Sequence, residues 1–281
     1  MSEPLIKLYR TDSGCVIEQD ATCYLVPNCS WDELITRDDL EGYLRDKVRS
    51  GSLRQTGLQD LQIRAPIGAQ EVWAAGVTYY RSRDARMEES KSAGGGDFYD
   101  RVYTAQRPEL FFKGTASRVV GQGDKVGIRH DATWSVPEPE LALLISPTGK
   151  VLGYTVGNDM SSRDIEGENP LYLPQAKVYF RSCALGPGVV VSSNAPPSSS
   201  EIHLKIVREG TAIFEGATAL SAMKRDYATL VEYLYRDNVF PNGCFLLTGT
   251  GIVPPDSFTL RQGDEIRISI TGIGTLVNFV G

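Results

Sequence analysis

Histidine is nearly missing from this chain, with only His130 and His203 among 281 residues. Histidine is the usual general base near neutral pH and a frequent zinc ligand. Chemistry built on a His-Glu-x-x-His zinc site or a Ser-His-Asp triad therefore has little to draw on. A Gly-x-Ser-x-Gly elbow and a phosphate-binding P-loop are also missing. The glycine-rich pieces lack the strand-turn-helix setting of a dinucleotide fingerprint. No block of like charges occurs and the net charge is −6. That excludes nucleic-acid binding through a general basic surface. No apolar run approaches membrane length, so no membrane partner is expected. Met1-Ser2-Glu3-Pro4 lacks the basic and apolar regions that open a secretory signal. The five cysteines are an odd count without C-x-x-C spacing. Reduced thiols in a cytoplasmic protein are the simplest reading.

The chain is long enough for one large domain or two modest ones, and 41% apolar content lies in the globular range. Residues 1–65 read as a small N-terminal domain. Ser30-Trp31-Asp32-Glu33 is a capping box, and Leu34, Ile35, Leu40, Tyr43, Leu44 and Val48 continue at roughly helical spacing. This predicts one helix, with Gly51 as its stop. From Ala65-Pro66-Ile67-Gly68 the texture changes to short β-rich pieces, so residues 66–281 read as a second domain. Ile202–Val207 and Ala212–Phe214, joined through Glu209-Gly210, predict a hairpin. Asp226 is placed to cap a helix from Tyr227 to Arg236, with Leu230, Val231 and Leu234 on one face. Runs of strands with few helices argue for an α+β fold rather than alternating βαβ units. The polar stretch from Asp84 to Arg101 reads equally as a surface loop or as a lid beside a site.

One pattern carries chemistry. Glu138 and Glu140 stand two apart before the β-prone Leu141-Ala142-Leu143-Leu144-Ile145, so on a strand they point to the same face. A third carboxylate, Asp159, ends another apolar run, Val151 to Val156. Three oxygen ligands suit Mg²⁺, Mn²⁺ or Ca²⁺ better than zinc. Taken alone, the pair also reads as solvated carboxylates on an exposed strand.

The neighbouring words resolve that choice. Leu110-Phe111-Phe112-Lys113, Glu138-Pro139-Glu140-Leu141-Ala142, Gly153-Tyr154-Thr155-Val156-Gly157-Asn158-Asp159, Ser162-Arg163-Asp164, Lys177, Leu185-Gly186-Pro187 and Thr248-Gly249-Thr250 occur in one order. Together they resemble the fumarylacetoacetate hydrolase superfamily, from about Val72 to the C-terminus. Gly263-Asp264-Glu265-Ile266 and Gly272 to Asn278 look like its closing hairpin. Ala74-Ala75-Gly76-Val77-Thr78-Tyr79 and Phe112-Lys113-Gly114-Thr115 are most similar to the 2-keto-3-deoxy sugar acid dehydratases of that superfamily.

The resemblance implies a mixed β-roll, usually found as a homodimer or a higher homo-oligomer. It implies Glu138, Glu140 and Asp159 as ligands of Mg²⁺ (Mn²⁺ or Ca²⁺ in its place), binding a small 2-keto acid. Lys177 matches the family's lysine, as proton carrier or as anchor of a substrate carboxylate. Glu109, before the Leu-Phe-Phe-Lys strand, is the second acid–base candidate. Gly249 and Thr250 match a Gly-Thr turn whose amides and hydroxyl suit a carboxylate. Lys113 reads either as a pocket residue or as the partner of an acidic neighbour. Arg81 and Ser82 lie where the hydrolases place an active-site segment. Arg163 and Asp164 are expected to pair beside the metal. The hydrolases carry a histidine soon after the Gly-x-x-Tyr segment, whereas Tyr79-Tyr80-Arg81-Ser82-Arg83 has none. The implied reaction is therefore metal-assisted dehydration of a 2-keto-3-deoxy pentonate to an α-ketoglutarate semialdehyde through an enolate. Hydrolysis of a 2,4-diketo acid is the alternative, and a non-catalytic binding protein on the same scaffold a third.

Overall fold

A computed structural model describes residues 4–80 and 96–281, with side chains in the second stretch from residue 100 onward. The organising element is a strand that is apolar on both faces. Every residue of Pro139–Ile145 is buried. Leu141, Leu143 and Ile145 enter one core cluster, whereas Ala142 and Leu144 enter another. Side chains alternate across a strand, so one unbroken apolar run can serve two cores. The strand accordingly lies in mid-sheet, antiparallel to Val151–Asp159 on one side and to Cys244–Leu247 on the other.

Among the described residues the sheet has twelve strands and runs on through Glu71–Gly76 to Glu109–Thr115 at one edge. Toward the other edge come Cys183–Val191 and then N-terminal strands. One face carries the cluster that includes Trp31, Leu34, Leu40 and Leu44. The other packs against a five-stranded sheet through Ile202, Leu204, Ile266, Ile268 and Leu276. Antiparallel and parallel pairs are mixed, Cys244–Leu247 lying parallel to Glu71–Gly76. This is the expected α+β fold with mixed sheets. Among the described residues no helix is long and apolar enough to cross a membrane.

Several local expectations hold. Glu201–Arg208 and Thr211–Ala219 form a hairpin. Glu209 and Gly210 both have positive φ at its two-residue turn, the geometry that matches strand twist. The Asp226 side chain accepts from the Thr229 amide at 2.7 Å and caps Tyr227–Tyr235, one residue shorter than expected. Glu265–Ile270 and Gly274–Val280 form the closing hairpin.

The N-terminal segment differs from expectation. Ile6–Thr11, Gly14–Gln19 and Thr22–Val26 form a meander that the sequence did not signal. Its second turn places Asp20 and Ala21 at φ 50° and 60°. Alanine is a poor marker of that region, so the usual Asn-Gly cue is missing. Ile6 pairs with Val191, which joins this segment to the large sheet. The single helix expected after Ser30 is two, Trp31–Ile35 and Leu40–Arg49. Arg37 grips Asp39 with two hydrogen bonds at the break. Asp38 accepts from the Thr148 hydroxyl at 2.9 Å, and its carbonyl accepts from Lys150 Nζ at 2.6 Å. Tertiary bonds to the 146–150 turn thus replace one turn of helix, and Gly51 (φ 66°) follows the second helix as expected.

Candidate active site

The 146–150 turn closes one end of a hairpin made by Pro139–Ile145 and Val151–Asp159, and the acidic residues lie at its open end. Pro139 pairs with Asn158, and the Asp159 amide donates to the Glu138 carbonyl at 2.9 Å. Period two aligns Glu138 with Glu140, and the pairing brings Asp159 across from them. Carboxylate oxygens of the three lie within 4.8 Å of one another. All three residues are buried, Glu138 being 4% exposed and the others 1%.

Like charges this close and this dry must be compensated. Lys177, at the end of the Leu173–Lys177 helix, donates to Glu138 Oε2 at 2.5 Å and Asp159 Oδ2 at 3.3 Å. Arg163 donates to Glu138 Oε1 at 2.9 Å. Lys113 Nζ stands 2.5 Å from Asp159 Oδ1 and donates to the carbonyls of Met160 and Lys177 at 2.9 and 2.5 Å. Among the described residues three cations therefore face three carboxylates, but not evenly. Among the described residues no lysine or arginine bonds to Glu140, which accepts only the Gly249 amide, at 2.5 Å. Burial, then Asp159, then Glu138 hold its carboxyl well above the ordinary glutamate range. Burial also lowers Lys113, against the pull of Asp159.

An oxygen-only set with one member short of positive charge fits a hard divalent cation and does not suit zinc. Glu138, Glu140 and Asp159 are the residues that would hold it. Arg163, Lys177, Phe111, Gly76 and Thr250 help wall the pocket around them.

One glycine is demanded by this geometry, and a second leaves room for a neighbouring side chain. Gly249 has φ +96°, and a Cβ there would come within 2.0 Å of Thr78 Oγ1. Any other residue would push its amide away from Glu140. A Cβ on Gly76 would meet Glu109 Oε2 at 2.1 Å. Gly76 pairs with Glu109 across the sheet edge, so its missing side chain lets the half-buried Glu109 carboxylate lie over a pocket wall.

Other site expectations separate. The Gly249 amide serves Glu140, and the Thr250 hydroxyl closes its own turn onto Ile252 at 3.2 and 3.3 Å, while still lining the pocket. Lys113 is fully buried, with Asp159 and the carbonyls of Met160 and Lys177 around its ammonium, so of its two readings the structure displays the pairing with an acidic neighbour. Arg163 does not pair with Asp164. It turns into the acidic cluster, and Asp164 accepts from the Thr133 amide and hydroxyl instead. Its place at the start of the Arg163–Glu168 helix, four residues beyond Asp159, was the available signal. Arg81, Ser82 and residues 84–95 of the expected lid lie outside the described residues, and residues 96–104 are helical. Both histidines are exposed, and His203 sits beside Glu201 on the five-stranded sheet. A wider cavity elsewhere involves Arg45 and Ile273, but Arg45 is tied to Glu41 at 2.8 Å, and no acidic cluster lines it.

Known proteins resemble this chain over most of its length. Residues 84–281 match the family model described as fumarylacetoacetate (FAA) hydrolase, C-terminal. A Haloferax volcanii protein described as a probable 2-keto-3-deoxyxylonate dehydratase is 46% identical over 247 residues, 88% of this chain and 84% of that one. The 2-dehydro-3-deoxy-D-arabinonate dehydratase of Saccharolobus solfataricus is 45% identical over 80% of this chain and 76% of its own. A solved 2-keto-3-deoxy-D-arabinonate dehydratase complexed with magnesium and 2,5-dioxopentanoate superposes with TM-score 0.81 at 35% identity, over 98% of both chains.

Proposed function

Because the chain belongs to the fumarylacetoacetate hydrolase superfamily, we propose that it is a hydro-lyase dehydrating a 2-keto-3-deoxy pentonate with a bound Mg²⁺. The observation that carries this reading is the buried trio Glu138, Glu140 and Asp159, whose oxygens lie within 4.8 Å of one another. The named dehydratases at 45–46% identity, and the magnesium in a relative's structure, support the same substrate class and metal. When bound, the dication supplies the positive charge that a substrate carboxylate and a developing oxyanion on the 2-keto oxygen require.

The chain's own residues do the rest. Glu109 takes a proton from C3 while the C4–O bond breaks, and the departing hydroxyl takes a proton from Lys177 and leaves as water. Lys177 then removes a proton from C5 as Glu109 returns its proton to C3. The resulting C5 enol tautomerises to the aldehyde, 2,5-dioxopentanoate. Both side chains end as they began. Glu138 and Asp159 engage two of the three N–H groups of Lys177, leaving the third for the substrate. Arg163 holds the other oxygen of Glu138 and keeps that carboxylate from rotating. Gly249, Thr250, Arg81 and Ser82 are assigned to the substrate's surroundings, and Lys113 to the support beneath them.

Neither histidine lines the pocket around the trio, which leaves hydrolysis of a 2,4-diketo acid without its usual water activator. Incubating the full chain and Mg²⁺ with 2-keto-3-deoxy and 2,4-diketo acids, then weighing the products, separates the reactions. Loss of one water with every carbon retained is expected, and release of pyruvate or a similar fragment would overturn the assignment. Residues 1–65 are read as a buttress domain, the assembly as a homodimer, and the compartment as cytoplasm. Five free thiols and the exposed Leu171 and Phe180 support the last two.

A further inference from the structure

Val77 adopts φ 52°, a left-handed conformation that β-branched side chains rarely take. Strain of this kind persists only where the surroundings enforce it. It precedes Thr78, which is fully buried and donates its hydroxyl to the Thr248 carbonyl at 2.7 Å. The Lys224 amide donates to the Thr78 carbonyl at 2.9 Å and holds the turn from the other side. The Thr248 carbonyl and the Gly249 N–H belong to one peptide group, and that N–H donates to Glu140 Oε2 at 2.5 Å. Hydroxyl, peptide and carboxylate thus form one chain of hydrogen bonds through a single amide plane. A donor on the carbonyl polarises the amide and strengthens what its N–H donates.

We infer that Thr78 is a positioning residue, which through the Thr248–Gly249 peptide holds the Glu140 carboxylate in the orientation that a divalent cation requires. The local packing serves the same end. Thr248 is pinned by bonds from its amide and hydroxyl to the Leu141 carbonyl at 3.0 and 2.9 Å, and Gly249 has no side chain that would hold Thr78 off. The inference rests on the metal-site reading above and adds a residue that touches neither metal nor substrate.

The test is calorimetric titration of Mg²⁺ into the chelator-stripped full chain without substrate, for wild type, Thr78→Val, Thr78→Ala and Thr78→Ser. Loss of the hydroxyl in T78V and T78A is expected to weaken Mg²⁺ binding about tenfold, the size seen when a partner behind a metal ligand is removed. T78S keeps the donor and is expected to stay within about twofold of wild type. Raising Mg²⁺ should restore most of the kcat of T78V, which a general loss of structure would not allow. Wild-type affinity in T78V and T78A overturns the inference alone. So does weakened binding in T78S, because the methyl and not the hydroxyl would then matter, and T78S decides the case even if T78V does not fold. Wild-type protein that takes up no Mg²⁺ overturns the metal-site reading as well.

Discussion

Asp264 and Glu140 are both carboxylates with almost no exposure, yet their surroundings treat them oppositely. Asp264, at the start of a strand in the five-stranded sheet, accepts two bonds from the Arg208 guanidinium, each at 2.7 Å, and a third from the Arg261 amide at 2.8 Å. A bidentate guanidinium plus an amide neutralises such a carboxylate and fills most of its roughly four acceptor positions. Glu140, near the start of a central strand of the large sheet, has one amide among the described residues and two like-charged neighbours. The difference separates a buried charge that locks a turn from one whose remaining oxygen capacity suits an added ligand. Burial alone does not mark a site, and the shortfall of partners does.

Three changes test that contrast. The largest effect is expected from Glu140→Ala, which should lower kcat by about 10³-fold, the loss of transition-state charge stabilisation. The same change should raise the thermal midpoint of the metal-free protein, because a desolvated, poorly paired carboxylate is gone. Steady-state kinetics and a thermal melt in chelator check both, and unchanged turnover would dissolve the distinction. Asp264→Ala should do the reverse. It strips Arg208 of its partner and costs about 2 kcal/mol of stability, read by denaturant unfolding, while kcat at 25 °C is retained. The smallest effect concerns pH. A carboxyl whose folded pKa is raised stabilises the fold at acid pH, and that contribution disappears as pH rises through the folded value. The metal-free protein should therefore lose stability as pH climbs from about 4.3, the glutamate value in an unfolded chain, through the elevated value of Glu140. Mg²⁺ needs the ionised form, so its stabilising effect should grow over the same interval. The Mg²⁺-induced rise in midpoint is expected to be roughly 2–4 °C larger at pH 8 than at pH 5. An equal rise at both would argue that Glu140 is already ionised without metal.

The acidic trio was legible in the sequence because strand periodicity and the ordered family words are local properties. Asp226 and the Glu209-Gly210 turn were legible for the same reason, each acting within three residues of itself. Arg163 was expected beside Asp164 and instead spans to Glu138, since sequence adjacency says nothing about which of two carboxylates a long side chain will reach. Lys113 was left between two readings, and only the fold brings Asp159, Met160 and Lys177 around its ammonium. The helix after Ser30 broke because Asp38 found partners in a turn more than a hundred residues away.

By itself, the sequence determined the residue types: oxygen ligands without histidine, a strand pattern apolar on both faces, and glycines where backbone must come close. Tertiary structure decided how the charges are shared out. Among the described residues Lys113, Lys177 and Arg163 compensate Glu138 and Asp159 and leave Glu140 to one amide. That allocation depends on distances between segments far apart in the chain, because Coulomb and hydrogen-bond energies are set by separation in space.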